Sequence, residues 1–297
     1  MKLSLLLTSL AALCHAAPSL LQPRASLQQV TNYGSNPTNT KMYIYVPDSV
    51  KSNPAIVVAV HHCQGTAQSF FGSTPYASLA DQKGYIVIYP ESPYSGTCFD
   101  VSSKATLTHG GGGNSNSIAN MVTYALQKYA ADPKRVFLVG ASSGAMMANV
   151  MAATYPELFN AVIAHSGVPA GCFMSASNQV NAWNGTCANG NVHNTPEAWA
   201  NVVKNMYPGY TGARPRMMIV HGGADTTLQS RNYNETIAQW AGVFGLNPTA
   251  PQQVKGNTPQ SGWTTYLWGT QLKGVYEPRY GHNIPIIAAD DMEFLGL

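Results

Sequence analysis

A serine in the sequence Gly140-Ala-Ser142-Ser-Gly144 has the surroundings of a catalytic nucleophile. The apolar run 136–139 before it predicts a buried strand, and a helix-compatible run follows at once. Chance could place Gly-x-Ser-x-Gly in a chain with 27 glycines, but this context favours a catalytic turn. Glycines two residues on either side relieve the crowding of so sharp a turn. We predict that it raises the Ser142 hydroxyl above a sheet, where the next helix N-terminus favours an oxyanion.

A serine hydroxyl is nearly inert at neutral pH, so it needs a histidine to accept its proton and an acid to orient that histidine. His282 lies in a loop between the last predicted strand and the last predicted helix, and it is the candidate base. Asp225 follows the predicted strand 216–221, at the edge of the sheet where such folds keep their reacting groups. The order Ser142, Asp225, His282 is the order of nucleophile, acid and base in α/β-hydrolases.

Other histidines and aspartates are less well placed for this chemistry. Histidines in apolar strands more often have structural roles, and those in loops stay open as alternatives. The first group is His61, His165 and His221, and the second is His62, His109 and His193. Asp290 and Asp291 fall in a predicted helix, Asp132 lies at the opposite sheet edge, and Asp100 precedes the nucleophile in the chain.

An oxyanion formed on the substrate needs preset N–H donors. One should be the backbone N–H of Ser143, directly after the nucleophile. We assign the second to the backbone N–H of Cys63, in the loop after the predicted strand 55–61. A purely structural, disulfide-bonded Cys63 is compatible with that role.

The first 17 residues carry one positive charge, a short apolar run and small residues at the end, as in a secretory signal peptide. A pro-segment could extend to about residue 24, and 25–297 would form the catalytic domain. No later run reaches the roughly 20 apolar residues of a membrane span, so we expect a secreted protein outside the membrane. Asn184-Gly-Thr and Asn234-Glu-Thr are acceptable glycosylation sequons.

Secretion makes disulfides possible, and four cysteines remain once Cys14 leaves with the signal peptide. Cys63 and Cys98 each follow a predicted parallel strand at the same sheet edge, while Cys172 and Cys187 share one loop-like stretch. We therefore favour the pairs Cys63 with Cys98 and Cys172 with Cys187. The alternative leaves Cys63 free.

Apolar strands alternate with helix-compatible runs along the chain, which predicts one doubly wound α/β domain with a mostly parallel sheet. The predicted strands are 42–47, 55–61, 85–90, 136–139, 161–166, 216–221, 262–268 and 274–280; helices are predicted at 67–83, 117–131, 197–206, 234–243 and 285–294 and directly after Ser142. A formal charge of +3 without basic clusters argues against a nucleic-acid partner, and none is expected. No metal-binding spacing and no phosphate-loop ending occurs, so neither a metal nor a cofactor is expected.

Several segments together resemble carbohydrate esterase family 1, specifically its secreted fungal acetylxylan esterases. The matching stretches begin at Val58, Ser92, Asp132, Gly140, Gly167 and Gly281 and include His61-His-Cys63-Gln-Gly, Gly140-Ala-Ser-Ser-Gly-Ala-Met-Met147, Gly167-Val-Pro-Ala-Gly-Cys172 and Gly281-His-Asn-Ile-Pro285. The resemblance implies an α/β-hydrolase fold that hydrolyses acetyl esters on xylan or xylo-oligosaccharides, with Ser142, Asp225 and His282 as triad. Position 62 is histidine where many relatives have glycine. A side chain there could narrow the loop or alter its backbone geometry, on which the assignment of the Cys63 N–H as second oxyanion donor depends.

Feruloyl esterases belong to the same broad family, and polyhydroxybutyrate depolymerases resemble it, so the acyl group is the open question. Trp183, between Cys172 and Cys187, could form a wall that suits acetyl and excludes a bulky aromatic acid, or it could only pack within its loop. A catalytically inactive carbohydrate-binding protein and a serine peptidase of the same fold are the rival functions. We expect a monomer.

Overall fold

A ten-stranded sheet forms the centre of the protein, whose computed structural model describes residues 25–297. The predicted signal peptide, Cys14 and the possible pro-segment lie outside the described residues. The strands are β1 (Gln28–Val30), β2 (Lys41–Tyr45), β3 (Ile56–Val60), β4 (Ile86–Glu91), β5 (Val136–Ala141), β6 (Ala161–His165), β7 (Arg216–Gly222), β8 (Gln253–Gly256), β9 (Thr264–Trp268) and β10 (Leu272–Glu277). The helices are α1 (Ala67–Ser73), α2 (Tyr76–Lys83), α3 (Asn114–Lys128), α4 (Ser143–Thr154), α5 (Gly185–Ala188), α6 (Pro196–Met206), α7 (Arg231–Phe244) and α8 (Ala288–Leu295).

The strand order β1-β2-β4-β3-β5-β6-β7-β10-β9-β8 has a parallel centre and antiparallel edges. Strands β4, β3, β5, β6, β7 and β10 run parallel, while β1 and β2 at one side and β9 and β8 at the other are antiparallel. Strands β3, β4, β5 and β6 are buried along nearly their whole length, as expected for a sheet covered on both faces. The predicted mostly parallel α/β fold is confirmed.

Two apolar cores lie on opposite faces of the sheet. One contains side chains of α3, α4, α6 and α7, among them Met147, Trp199 and Trp240. The other contains side chains of α1, α2 and α8, including Phe70 and Phe294. Because the chain alternates between these layers, the carboxyl ends of the parallel strands meet at one edge, from which the reactive loops leave.

The predicted helix 67–83 is two helices. Thr74, which precedes Pro75, is extended at φ −117° and ψ 156°, because a residue before proline avoids the helical region. The last helix begins at Ala288 rather than at Pro285, so the loop that carries His282 is longer than expected.

Two edge strands were not anticipated from the sequence. β1 and β8 are only three and four residues long, and neither contains a buried residue. Without an apolar pattern to mark them, they form by pairing with the backbone of β2 and β9.

Candidate active site

Ser142 lies in the turn between β5 and α4 with φ 54° and ψ −117°, a conformation unusual for a side-chain-bearing residue. A Cβ on Gly140 would lie 2.1 Å from the backbone oxygen of Gly144. A Cβ on Gly144 would lie 2.0 Å from the oxygen of Val60. A side chain at either position would clash with backbone atoms, so both positions need glycine. The turn is the strand-to-helix elbow predicted from the sequence.

His282 connects the serine to an acid by two short contacts. Its Nε2 is 2.7 Å from Oγ of Ser142, and its Nδ1 is 2.8 Å from Oδ2 of Asp225. The carboxylate can only accept, so Nδ1 carries the proton and Nε2 is free to accept the serine proton. The side chain of His282 is 18% exposed, whereas that of Asp225 is fully buried. The base is thus reachable from solvent, and the acid is not.

Asp225 is held as a carboxylate by the start of the loop after β7. Its Oδ1 accepts the backbone N–H of Thr227 at 2.8 Å and that of Leu228 at 3.0 Å. On the other oxygen, Nε2 of His221 lies 3.1 Å away, beside the contact from His282. Burial by itself would raise the pKa of Asp225, but the hydrogen bonds with His221 and His282 hold it well below its usual range. Asp225 is therefore ionised at neutral pH.

Two backbone N–H groups near the serine have no acceptor. Ser143 is the first residue of α4, and Cys63 lies in the loop after β3. Among the hydrogen bonds of residues 25–297, neither N–H donates to a protein atom. Both residues line the cavity that contains Ser142. The helix N-terminus behind Ser143 adds a favourable field for negative charge.

The loop of Cys63 is tied to the chain after β4. Cys63 forms a disulfide with Cys98, and Gln64 N–H donates to the oxygen of Gly96 at 2.7 Å. The structure also joins Cys172 to Cys187, so both pairings favoured from the sequence are formed and Cys63 is not free. Adjacent parallel strands β3 and β4 bring the first pair together.

The site opens into a cavity of about 960 Å³ at the carboxyl edge of the sheet. Its lining combines the reactive groups with apolar side chains such as Phe70 and Met146. Trp183 lies at its rim, 62% exposed, with its ring edge-to-face against Phe173 at 5.2 Å. It also borders a smaller adjoining pocket of about 160 Å³. Trp183 therefore both packs within its loop and forms part of the cavity wall.

Of the other histidines, three lie near the triad. His62 lines the cavity with Nδ1 2.7 Å from the oxygen of Cys63, and His165 lines it from the end of β6. His221 contacts Asp225 from below the cavity. Two loop histidines are elsewhere: His109 stacks on Tyr207 at 3.6 Å, and His193 pairs with Glu235 at 2.9 Å.

His221 and Ser166 are neighbours of the site that the sequence did not single out. Ser166 follows β6 at φ 56° and lines the cavity with a buried hydroxyl that has no partner among the described residues. The i, i+4 spacing of His221 and Asp225 was visible in the sequence. The contact between the two side chains could not be predicted from that spacing, because it requires the chain to turn after β7.

The sequence profile of the family described as "Esterase PHB depolymerase" matches residues 40–260. The chain belongs to this esterase family. Acetylxylan esterase A of Aspergillus awamori is 60% identical over 271 residues, covering 91% of this chain and 89% of that protein. Probable acetylxylan esterase A of Aspergillus fumigatus is 61% identical, covering 91% of this chain and 73% of that one.

A solved structure of an acetyl xylan esterase from Aspergillus awamori superposes on this esterase with a TM-score of 0.90 at 60% identity. The match covers 91% of this chain and 99% of that chain. Together with the relatives, it confirms the predicted resemblance to acetylxylan esterases of carbohydrate esterase family 1.

Within residues 25–297 of this esterase, no three His, Cys, Asp or Glu side chains are grouped to hold a metal ion. In the same part of the chain, none of the helices combines the length and apolar character needed to cross a bilayer.

The two sequons differ in accessibility. Asn184 is half-buried: its side chain accepts the N–H of Cys187 and donates to the oxygen of Cys172, each at 3.1 Å. Asn234 is exposed on α7. Glycosylation at either asparagine stays a prediction, and Asn234 is the more open acceptor.

Proposed function

We propose that this protein is a secreted serine esterase that removes acetyl groups from acetylated xylan and xylo-oligosaccharides. The observation that carries the proposal is the continuous hydrogen-bonded path from Asp225 through His282 to Ser142 at the floor of an open cavity. The likeness to named acetylxylan esterases supports the substrate class. In this proposal residues 25–297 form one catalytic domain that acts as a monomer, and a signal peptide in residues 1–17 directs its export.

In the first half-reaction, Oγ of Ser142 attacks the acetyl carbonyl carbon while Nε2 of His282 takes the serine proton. The C=O π electrons move to the oxygen, giving a tetrahedral oxyanion. When this collapses, the bond from the acetyl carbon to the xylose oxygen breaks. His282 returns the proton to that oxygen, so a free xylose hydroxyl leaves and acetyl-Ser142 remains.

In the second half-reaction, water replaces the xylose hydroxyl. His282 takes a proton from the water as its oxygen attacks the acetyl-enzyme carbonyl. The second tetrahedral species collapses with cleavage of the bond to Oγ of Ser142, and His282 gives its proton to that oxygen. Acetic acid is released and the serine is restored. The buried charge of Asp225 stabilises the imidazolium in both halves.

We assign the stabilisation of both oxyanions to the N–H groups of Ser143 and Cys63. Both residues line the cavity of Ser142, and within residues 25–297 neither N–H donates to a protein acceptor, so no existing hydrogen bond has to be broken. The Cys63–Cys98 disulfide restrains the loop that carries the second donor. Nδ1 of the neighbouring His62 contacts the backbone oxygen of Cys63, so this ring nitrogen does not accept the Cys63 N–H.

A direct test is to measure acetate released from acetylated xylan and ferulate released from methyl ferulate by the mature protein. Ser142→Ala is the blank, and we expect its turnover to fall by about 10⁵- to 10⁶-fold. Acetate release well above ferulate release supports the proposal. Predominant ferulate keeps the mechanism and changes the substrate. Equal rates for wild type and Ser142→Ala overturn the serine mechanism, and no activity from either favours a binding protein.

A further inference from the structure

Asp225 has a second imidazole neighbour that the proposed relay does not use. His221, near the end of β7, is completely buried, and its Nε2 lies 3.1 Å from Oδ2 of Asp225. The same nitrogen is 2.9 Å from the backbone oxygen of Leu228. Since Nδ1 of His282 contacts that Oδ2 at 2.8 Å, the oxygen lies between two histidine rings.

The partners of His221 determine its tautomer. Both atoms within hydrogen-bonding reach of Nε2, a carboxylate oxygen and a carbonyl oxygen, can only accept. Nε2 must therefore carry a proton. Nδ1, on the other side of the ring, is buried and has no partner among the described residues. A proton there would lose water without gaining an acceptor, which favours the tautomer with its proton on Nε2.

The Nε2–H of His221 contacts both Asp225 and the turn that follows it. The backbone N–H groups of Thr227 and Leu228 fix Oδ1 of Asp225 from within the turn. His221 contacts the other carboxylate oxygen and the carbonyl of Leu228, which lies in the same turn. The three contacts made to the carboxylate restrict its rotation, and the contact with Leu228 fixes the ring of His221. A carboxylate that cannot rotate keeps one oxygen directed at His282.

We propose that His221 is a positioning residue of this esterase: its Nε2–H, shared between Asp225 and Leu228, sets the orientation in which Asp225 meets His282. His221 does not line the cavity and has no contact with Ser142, so it acts only through Asp225. The inference rests on the proposed serine esterase function, because it assigns a role within that triad. A histidine of β7 that sequence alone assigns to the core thereby becomes part of the catalytic support.

Two amide substitutions form a matched pair for the test. In His221→Gln the side-chain nitrogen can reach the place of Nε2, whereas in His221→Asn it can reach only the place of Nδ1. Both leave a buried amide, so a general loss of packing affects both. We expect His221→Asn to lower kcat on 4-nitrophenyl acetate by about 10- to 100-fold, the cost of misorienting a reacting group. KM should change little, and His221→Gln should recover most of the loss.

A double-mutant cycle separates positioning from simple structural support. If His221 acts through Asp225, adding His221→Asn to Asp225→Asn should cost less than about threefold in kcat, because the group it orients is already lost. Equal kcat for the Gln and Asn variants, or a full loss in the Asp225→Asn background, overturns the proposal. If Ser142→Ala keeps wild-type activity, the esterase mechanism itself fails, and that outcome is separate.

The tautomer gives a test that needs no variant to fold. In the uniformly ¹⁵N-labelled wild-type protein at neutral pH, Nε2 of His221 should have the chemical shift of a protonated ring nitrogen. An Nδ1–H tautomer, which leaves Nε2 without a proton, would contradict the shared hydrogen bond and overturn the proposal.

Discussion

Asp225 is the residue whose environment most constrains the candidate site. It is buried, and its two oxygens accept or contact two backbone N–H groups and two imidazole nitrogens. Burial by itself would raise its pKa, but the hydrogen bonds with His221 and His282 outweigh that effect and lower the pKa. The same contacts that make Asp225 a constant negative charge for His282 should therefore also stabilise the fold.

The stability contributed by Asp225 should depend on pH. Its pKa is lower in the folded protein than in the unfolded chain. Its stabilisation is therefore complete above the unfolded value of about 3.9 and is lost progressively as the pH falls from there through the lower folded pKa. We expect Asp225→Asn to lower the free energy of unfolding by about 1–3 kcal/mol at neutral pH. The difference from wild type should narrow at about pH 3. Urea unfolding at both pH values measures this, and a constant difference would contradict it.

Trp183 is the residue on which acyl selectivity should depend. Its ring is largely exposed at the cavity rim, so Trp183→Ala should change stability by less than about 0.5 kcal/mol. Removing this wall should raise the ratio of kcat/KM for methyl ferulate to that for acetyl esters by about tenfold. Met174→Ala is the matched control, since Met174 is 60% exposed and does not line the cavity. An unchanged ratio would assign Trp183 to loop packing alone.

At the scale of elements, the elbow between β5 and α4 depends on close approach of three backbone segments. Gly144 packs against the end of β3, and Gly140 packs against Gly144 itself. Helix α4 is buried along its whole length, so the helix cannot move aside to relieve a clash. The position of Ser142 is consequently set by the packing of these backbone segments.

Gly144→Ala should therefore damage both stability and activity. The new methyl group would meet the oxygen of Val60 at 2.0 Å, and overpacking of this kind costs about 1–3 kcal/mol. Gly72→Ala, in helix α1 with open space around it, is the control and should be neutral or stabilising by up to about 1 kcal/mol. Denaturant unfolding and esterase assays measure both effects. Full activity in Gly144→Ala would show that the elbow tolerates displacement.

At the scale of the whole molecule, two disulfides connect loops that differ in their distance from the reaction. Cys63–Cys98 joins residues 35 apart and borders the catalytic cavity, whereas Cys172–Cys187 joins residues 15 apart. Chain entropy favours the longer loop as the larger source of stability, about 4 against about 3 kcal/mol. Only the first disulfide restrains the loop of the second proposed oxyanion donor.

Replacing each pair by alanine should separate stability from catalysis. Both double variants should unfold at lower denaturant concentration, by roughly 2–4 kcal/mol in free energy. Only Cys63→Ala with Cys98→Ala should also lower kcat at temperatures where the variant remains folded, because the Cys63 N–H is then less well placed. Equal kcat for the two variants would argue against Cys63 as an oxyanion donor.

Prediction from the sequence worked best where local rules apply. The buried strands β3 to β7 have continuous apolar runs, and their bounds were predicted to within a residue or two. It failed at β1 and β8, which have no such pattern. It also failed at the break before Pro75, because the surrounding residues favour a helix whereas the residue before a proline avoids the helical conformation. The start of α3 at Asn114 was also missed by three residues.

The sequence by itself determined the strand-elbow-helix around Ser142, the alternation that makes a parallel sheet, and the identity of the residues offered as base and acid. Local sterics and periodicity are enough for these, because they act between residues a few positions apart. Only the tertiary structure decided that His282 reaches Ser142 across 140 positions, that β3 and β4 bring Cys63 to Cys98, and that His221 contacts both Asp225 and Leu228. Such contacts depend on where the folded backbone places distant side chains to a fraction of an ångström, and no local pattern specifies that.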